Sequence, residues 1–191
     1  MIRAFLAIDL PKDIKKELFN LSKIEIPEGI KLKWVEERNF HITFRFFGNV
    51  SEKDIKKIIK HGQKVSQDFS AFKVILDEVG MFKDRKGQPR VVWIGVKFEE
   101  EDVFGLYNEL EKGFKKLKVI DRKEDFHPHI TLFRVKYADL GFKQYLESIT
   151  AQAKDLKGRS FWVKDLTLFK STLTSKGPIY QAISQIELKR D

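Results

Sequence analysis

The chain has 191 residues, 42% hydrophobic and 34% charged, which predicts a globular domain and excludes a disordered chain. It carries 37 Lys and Arg against 28 Asp and Glu, a net charge of +9, and no cysteine. The positive excess favours a polyanionic partner, and the missing thiols exclude disulfides, a cysteine nucleophile and a cysteine-based zinc site.

In chain order, Arg3–Asp9 reads as a strand. Asp9 and Pro11 interrupt the apolar start too early for a signal peptide, and no apolar run approaches the ~20 residues of a membrane span, so a cytoplasmic protein is expected. Abundant Lys and Glu without Cys also fits a heat-adapted protein. Pro11 suits the first turn of a helix reaching about Lys23, with Ile14, Leu18 and Leu21 on one face. Lys31–Val35 and Phe40–Phe47 read as strands. The run Ser51-Glu-Lys-Asp54 resembles a capping box and opens a helix that turns Ile55, Ile58, Ile59 and Val65 inward, leaving His61 on the surface. Phe72–Val79 and Val91–Phe98 form a hairpin through the polar loop at 83–90. Glu100–Lys118 is a helix, His129–Lys136 a strand and Asp139–Lys154 a helix, followed by strands at Phe161–Lys170 and Ile179–Leu188. The result is an α+β fold with antiparallel sheets.

The tripeptide His-Ile-Thr occurs twice, at 41–43 and again 88 residues later at 129–131. Two copies in matching strand and helix surroundings predict one domain over 1–191 with two similar lobes about a pseudo-twofold axis, helices outside and a cleft between them. Alternation in the first copy places Phe40, Ile42, Phe44 and Phe46 on one face and His41, Thr43, Arg45 and Phe47 on the other. In the second, Ile130 and Leu132 oppose His129, Thr131 and Phe133, and strict alternation turns Arg134 away from His129 unless a bulge intervenes. Each strand thus buries one side and presents an imidazole beside a hydroxyl on the other. Two imidazoles facing across a cleft suit phosphodiester chemistry: one removes a proton from the nucleophile and one delivers a proton to the leaving oxygen. The threonine hydroxyls and Arg45 would hold the phosphate oxygens, and neither a metal, another cofactor nor a covalent intermediate is required. One histidine on a strand is more often structural; the recurrence shifts the balance to function. Phe47 and Phe133 read as base-stacking or packing residues, with packing favoured, and His127 as a neighbour of the site.

The motifs His41-Ile-Thr43-Phe and His129-Ile-Thr131-Leu resemble those of the two-histidine (2H) phosphoesterases, and within them the RNA 2′,3′-cyclic phosphodiesterase group, also called the 2′-5′ RNA ligases. RAFLAIDLP, WVEERNFHITFRFFGNV, PRVVWIGV, FHPHITLFRV and FKSTLTSKGPIY follow in the family's order, so the likeness covers nearly the whole chain. It implies a bilobal fold that hydrolyses a 2′,3′-cyclic phosphate at an RNA 3′ end, tRNA fragments among the candidates, to a 2′-phosphate. It implies His41 as the acid for the leaving 3′-oxygen and His129 as the base for water, with Thr43, Thr131, Arg45, Arg134 and Tyr180 binding substrate. The reverse reaction would join an RNA 5′-hydroxyl to the cyclic phosphate. Arg45 stands where the family commonly has lysine, and Ser171 and Lys176–Tyr180 match its closing motif. A monomer is expected. Two other readings remain open at this point: a non-catalytic RNA 3′-end binder of the same shape, and a metalloenzyme built on His127 and His129 with Glu124 and Asp125.

Overall fold

Nine strands and four helices alternate along the chain in the computed structural model, which describes residues 1–99, 102–120, 125–175 and 177–189. The strands are β1 (Ile2–Asp9), β2 (Lys31–Trp34), β3 (His41–Val50), β4 (Phe72–Lys83), β5 (Pro89–Phe98), β6 (His129–Tyr137), β7 (Ser160–Val163), β8 (Asp165–Thr174) and β9 (Gly177–Glu187). The helices are α1 (Lys12–Asn20), α2 (Glu52–Ser66), α3 (Asp102–Lys116) and α4 (Phe142–Gln152). No helix among the described residues is long and apolar enough to cross a membrane.

All strand pairs in the sheet are antiparallel, in the order β7-β4-β5-β6-β3-β1-β8-β9. This order is symmetric about the contact of β6 with β3: β5 answers β1, β4 answers β8 and β7 answers β9. The expected pair of similar lobes is therefore present, but its halves exchange strands. β4 follows α2 yet pairs with β5, and β8 follows α4 yet pairs with β1. The stretch expected as one strand over Phe161–Lys170 is two strands for this reason. It breaks at Lys164, where the chain leaves β4's side of the sheet for β1's. Periodicity does not register a change of partner.

The halves meet at the two motifs. The ladder between β3 and β6 is the single pair Ile42 and Ile130, both fully buried. Beyond it β3 leaves β6 and β2 takes its place, from Trp34 opposite Phe133 to Lys31 opposite Tyr137. The Val35 N–H donates to the Leu132 carbonyl at 2.8 Å, and then residues 36–40 step out of the sheet through a 3₁₀ turn at Glu37–Asn39.

A bulge follows each His-Ile-Thr. Opposite β1, Thr43 faces Ala7 and Arg45 faces Leu6, so Phe44 is an extra residue. Opposite β5, Thr131 faces Trp93 and Phe133 faces Val92, so Leu132 is extra. An extra residue reverses the alternation that follows it. Arg45 and Phe133 consequently turn into the core, while Phe46 and Arg134 turn into the cleft. The expectation that Arg45 shares the face of His41 is thus overturned. Its guanidinium lies under the sheet, where Nη1 donates to Glu111 Oε2 of α3 at 3.1 Å, and both side chains are buried. Phe47 is the extra residue of a second bulge against β1 and packs edge-on against Phe114, so it also stands away from His41.

The helices bury their apolar stripes against the sheet. α2 opens with the expected capping box: Ser51 Oγ accepts from the Asp54 N–H at 3.1 Å and Asp54 Oδ2 accepts from the Ser51 N–H at 3.4 Å. His61, expected at the surface, is instead wedged between α2 and α3. Its ring lies edge-on to Phe114, and there is room for it because residue 113 is glycine; a Cβ there would sit 1.9 Å from the imidazole. α3 ends in a Schellman motif, with the Val119 N–H donating to the Phe114 carbonyl at 3.1 Å and Lys118 in the left-handed region at φ 56°. Glycine is the favoured residue at such a cap. Lys118→Gly should therefore stabilise the fold by about 1 kcal/mol, read as a rise in Tm.

Candidate active site

The register at the seam assembles the site. Because Ile42 and Ile130 are antiparallel partners pointing into the core, their neighbours point out of it. His41 therefore stands beside Thr131, and Thr43 beside His129. All four line one cleft of about 570 Å³, together with Arg134 and Tyr180. Of the seven site residues expected from sequence, the cleft contains six, and Arg45 is the exception.

The two imidazoles are held alike. His41 Nδ1 is 2.7 Å from the carbonyl of Asn39, and His129 Nδ1 is 2.7 Å from the carbonyl of His127, in each case two residues upstream. A carbonyl only accepts, so Nδ1 carries the proton and Nε2 keeps its lone pair in the neutral ring. His41 Nε2 lies 3.1 Å from Thr43 Oγ1. Aromatic walls fix both rings: Phe5 and Tyr180 beside His41, with centroids at 4.9 and 5.4 Å, and Phe82 and Trp93 beside His129, at 5.0 and 6.0 Å. Trp93 lies flat in part because Gly80 opposite offers no side chain; a Cβ there would meet the indole at 2.2 Å.

Burial pushes the His41 imidazole down from 6.5 to about 4, opposed by the Asn39 carbonyl and by Asp9, its partner across β1. A charge on His129 lowers His41 further, so the two rings sense one another's field. His129 is lowered too, chiefly by burial and then by Arg134 and His127. Both rings are therefore neutral at neutral pH. Tyr180 is raised by burial and stays a neutral hydroxyl. The sign of the linkage follows: a histidine whose folded value lies below its unfolded one stabilises the fold above pH 6.5 and loses that contribution as the pH falls toward 4. His41→Asn should flatten the decline of unfolding free energy over that interval by up to ~3 kcal/mol, measured by urea unfolding of both proteins at several pH values.

Several cleft residues carry no sequence signal of their own. Arg3 lies over the Phe46 ring, 4.5 Å from its centroid, and both line the cleft. The pair becomes visible only once the bulges between β1 and β3 are known. Asn39 is buried, and its Nδ2 donates to the Pro178 carbonyl of β9 at 2.9 Å. The residue whose carbonyl sets the His41 tautomer is thus bolted to the hairpin that carries Ser171 and Tyr180. Asn39→Ala should cut kcat about tenfold, because it releases the segment whose carbonyl orients His41. Steady-state kinetics would show it. Phe133, which sequence alternation placed beside His129, packs in the core against Trp34 and Tyr145. His127 is exposed and contributes its carbonyl. Lys176 and Glu124 lie outside the described residues.

Comparison with known proteins finds relatives over nearly the whole chain. The model of the family described as LigT-like phosphoesterase matches twice, over residues 8–93 and 96–180, once for each motif. The chain is 36% identical over 191 residues to the RNA 2′,3′-cyclic phosphodiesterase of Archaeoglobus fulgidus, covering 97% of this chain and 100% of that one. It is 34% identical over 189 residues to the enzyme of the same name from Methanocaldococcus jannaschii, covering 96% and 99%. Its fold is similar to the crystal structure of E. coli LigT complexed with 3′-AMP, with a TM-score of 0.76, 25% identity and 99% of each chain covered.

Proposed function

Since the chain belongs to the LigT-like phosphoesterase family, we propose that it is an RNA 2′,3′-cyclic phosphodiesterase, opening the cyclic phosphate at an RNA 3′ end to a 2′-phosphate by paired-histidine acid–base catalysis without a metal. Water attacks phosphorus and gives a proton to Nε2 of His129. The bond from phosphorus to the 3′-oxygen breaks, and that oxygen takes a proton from His41. The products are a 2′-phosphomonoester and a 3′-hydroxyl, and solvent resets both rings. The same displacement with an RNA 5′-hydroxyl in place of water as nucleophile, the 3′-oxygen again leaving with a proton from His41, gives a 2′-5′ linkage.

What supports this reading above all is the pairing of Ile42 with Ile130, which gives one phosphate a route to both Nε2 atoms and both threonine hydroxyls. The division of labour follows from environment. His129 is the more open of the two to solvent, the source of the attacking water. His41 sits deeper, where a bound phosphate anion is felt strongly enough to bring it a proton. Thr43, Thr131, Tyr180 and Arg134 hold the phosphate oxygens, and Phe46 under Arg3 offers the terminal base a stacking face. The protein works as a cytoplasmic monomer.

The test is product analysis. A short RNA ending in a 2′,3′-cyclic phosphate, incubated with chelator, should acquire a 2′-monophosphate, and the rate should follow a bell-shaped pH profile. A 3′-monophosphate product, or tight binding with no product after long incubation, would sink it.

A further inference from the structure

A second cavity adjoins the cleft. It has a volume of about 470 Å³ and is lined by residues 45–50 of β3, Asp54 and residues 118–120 after α3. Phe46 is common to both cavities and is 38% exposed, so the two meet at this residue. The charges around this second cavity are largely spoken for. Arg45 is paired with Glu111 below the sheet, and Asp54 is held by Lys57 at 2.8 Å and by Ser51 at 2.6 Å. Lys118 is exposed and lines the cavity from the αL cap of α3. A lysine there costs stability that glycine would return, and a residue in a disfavoured backbone region at the rim of a cavity points to a role for its side chain.

We propose that this cavity is a subsite for the RNA strand behind its reacting end, with Lys118 contacting the phosphodiester that precedes the terminal nucleotide. The inference rests on the phosphodiesterase reading. With the terminal nucleotide in the cleft and its base against Phe46, the strand has a continuous path over that ring into the second cavity, where an exposed ammonium meets a backbone phosphate. Such a contact is sequence-independent and releases counterions. It serves oligonucleotides only, because a cyclic mononucleotide has no second phosphate to place there.

The experiment compares Lys118→Gly, Lys118→Asn and Lys118→Arg with the natural protein on two substrates, a 2′,3′-cyclic mononucleotide and a short oligoribonucleotide ending in the same group. Expected for Gly and Asn is a rise of about fivefold in KM for the oligonucleotide, a salt slope for that substrate smaller by about 0.7, and an unchanged KM for the mononucleotide. Arg should behave as the natural lysine. The Gly variant should also melt higher, so that weaker substrate binding comes from a more stable protein. Equal effects on both substrates, or none on either, would overturn the subsite. Failure of the natural protein to turn over either substrate would instead overturn the phosphodiesterase reading itself.

Discussion

Alanine at His41, and separately at His129, is expected to lower kcat/KM on a cyclic-phosphate RNA by about 10²–10⁴-fold while the fold persists, as general acid–base groups of this kind contribute. Each change removes one of two proton transfers at the same phosphorus. The double variant should then lose little more than either single one, because a reaction deprived of its base gains nothing from an acid still in place. His41→Ala also removes a partly buried imidazole that resists protonation, so acid should unfold this variant less readily than the natural protein. Rates measured on variants with intact circular dichroism spectra decide the matter. Retention of most of the activity by either single variant would remove the paired-histidine mechanism.

Arg45→Ala is expected to act in the opposite way, costing stability and sparing the chemistry. It leaves the Glu111 carboxylate, 2% exposed, without the guanidinium now 3.1 Å away, and stranding one member of a buried pair costs about 3–5 kcal/mol. The melting temperature should fall by roughly 10 °C. Among molecules that remain folded at low temperature, kcat should change by less than about threefold, since the guanidinium lies on the far side of the sheet from the imidazoles. Arg45→Met with Glu111→Leu should recover most of the loss, because replacing a buried ion pair with packed apolar side chains is close to neutral. A large fall in kcat with unchanged stability would return Arg45 to the phosphate.

The contrast between these two residues shows what the sequence could carry. Both histidines were legible because their signal is local and doubled, a polar residue on an otherwise apolar strand with the same neighbours each time. The capping box at Ser51 and the hairpin of β4 and β5 were legible for the same reason. Arg45 was misplaced, and Arg134 could be turned toward His129 only on condition of a bulge, because a bulge is a property of a strand pair. HITFRF and HITLFR carry no mark saying which residue will be skipped by β1 or β5. The bulge falls at the same place in both copies, so Arg45 and Phe133 both turn into the core and Phe46 and Arg134 both turn into the cleft. His61 was misjudged on similar grounds, since the space it fills is created by Gly113 on another helix. Arg3 and Asn39 acquire their roles only through partners brought together by the tertiary fold.

The one-pair seam between β3 and β6 has a mechanical consequence. Two plates joined along a full ladder are stiff, but plates joined at a point have a fulcrum. Any scissoring of one half against the other displaces an atom in proportion to its distance from that fulcrum. The outermost strands, β7 and β9, lie farthest from the seam, whereas His41 and His129 flank it. Any relative movement of the two halves would therefore displace the outer strands more than the two imidazoles, whose spacing would stay nearly constant.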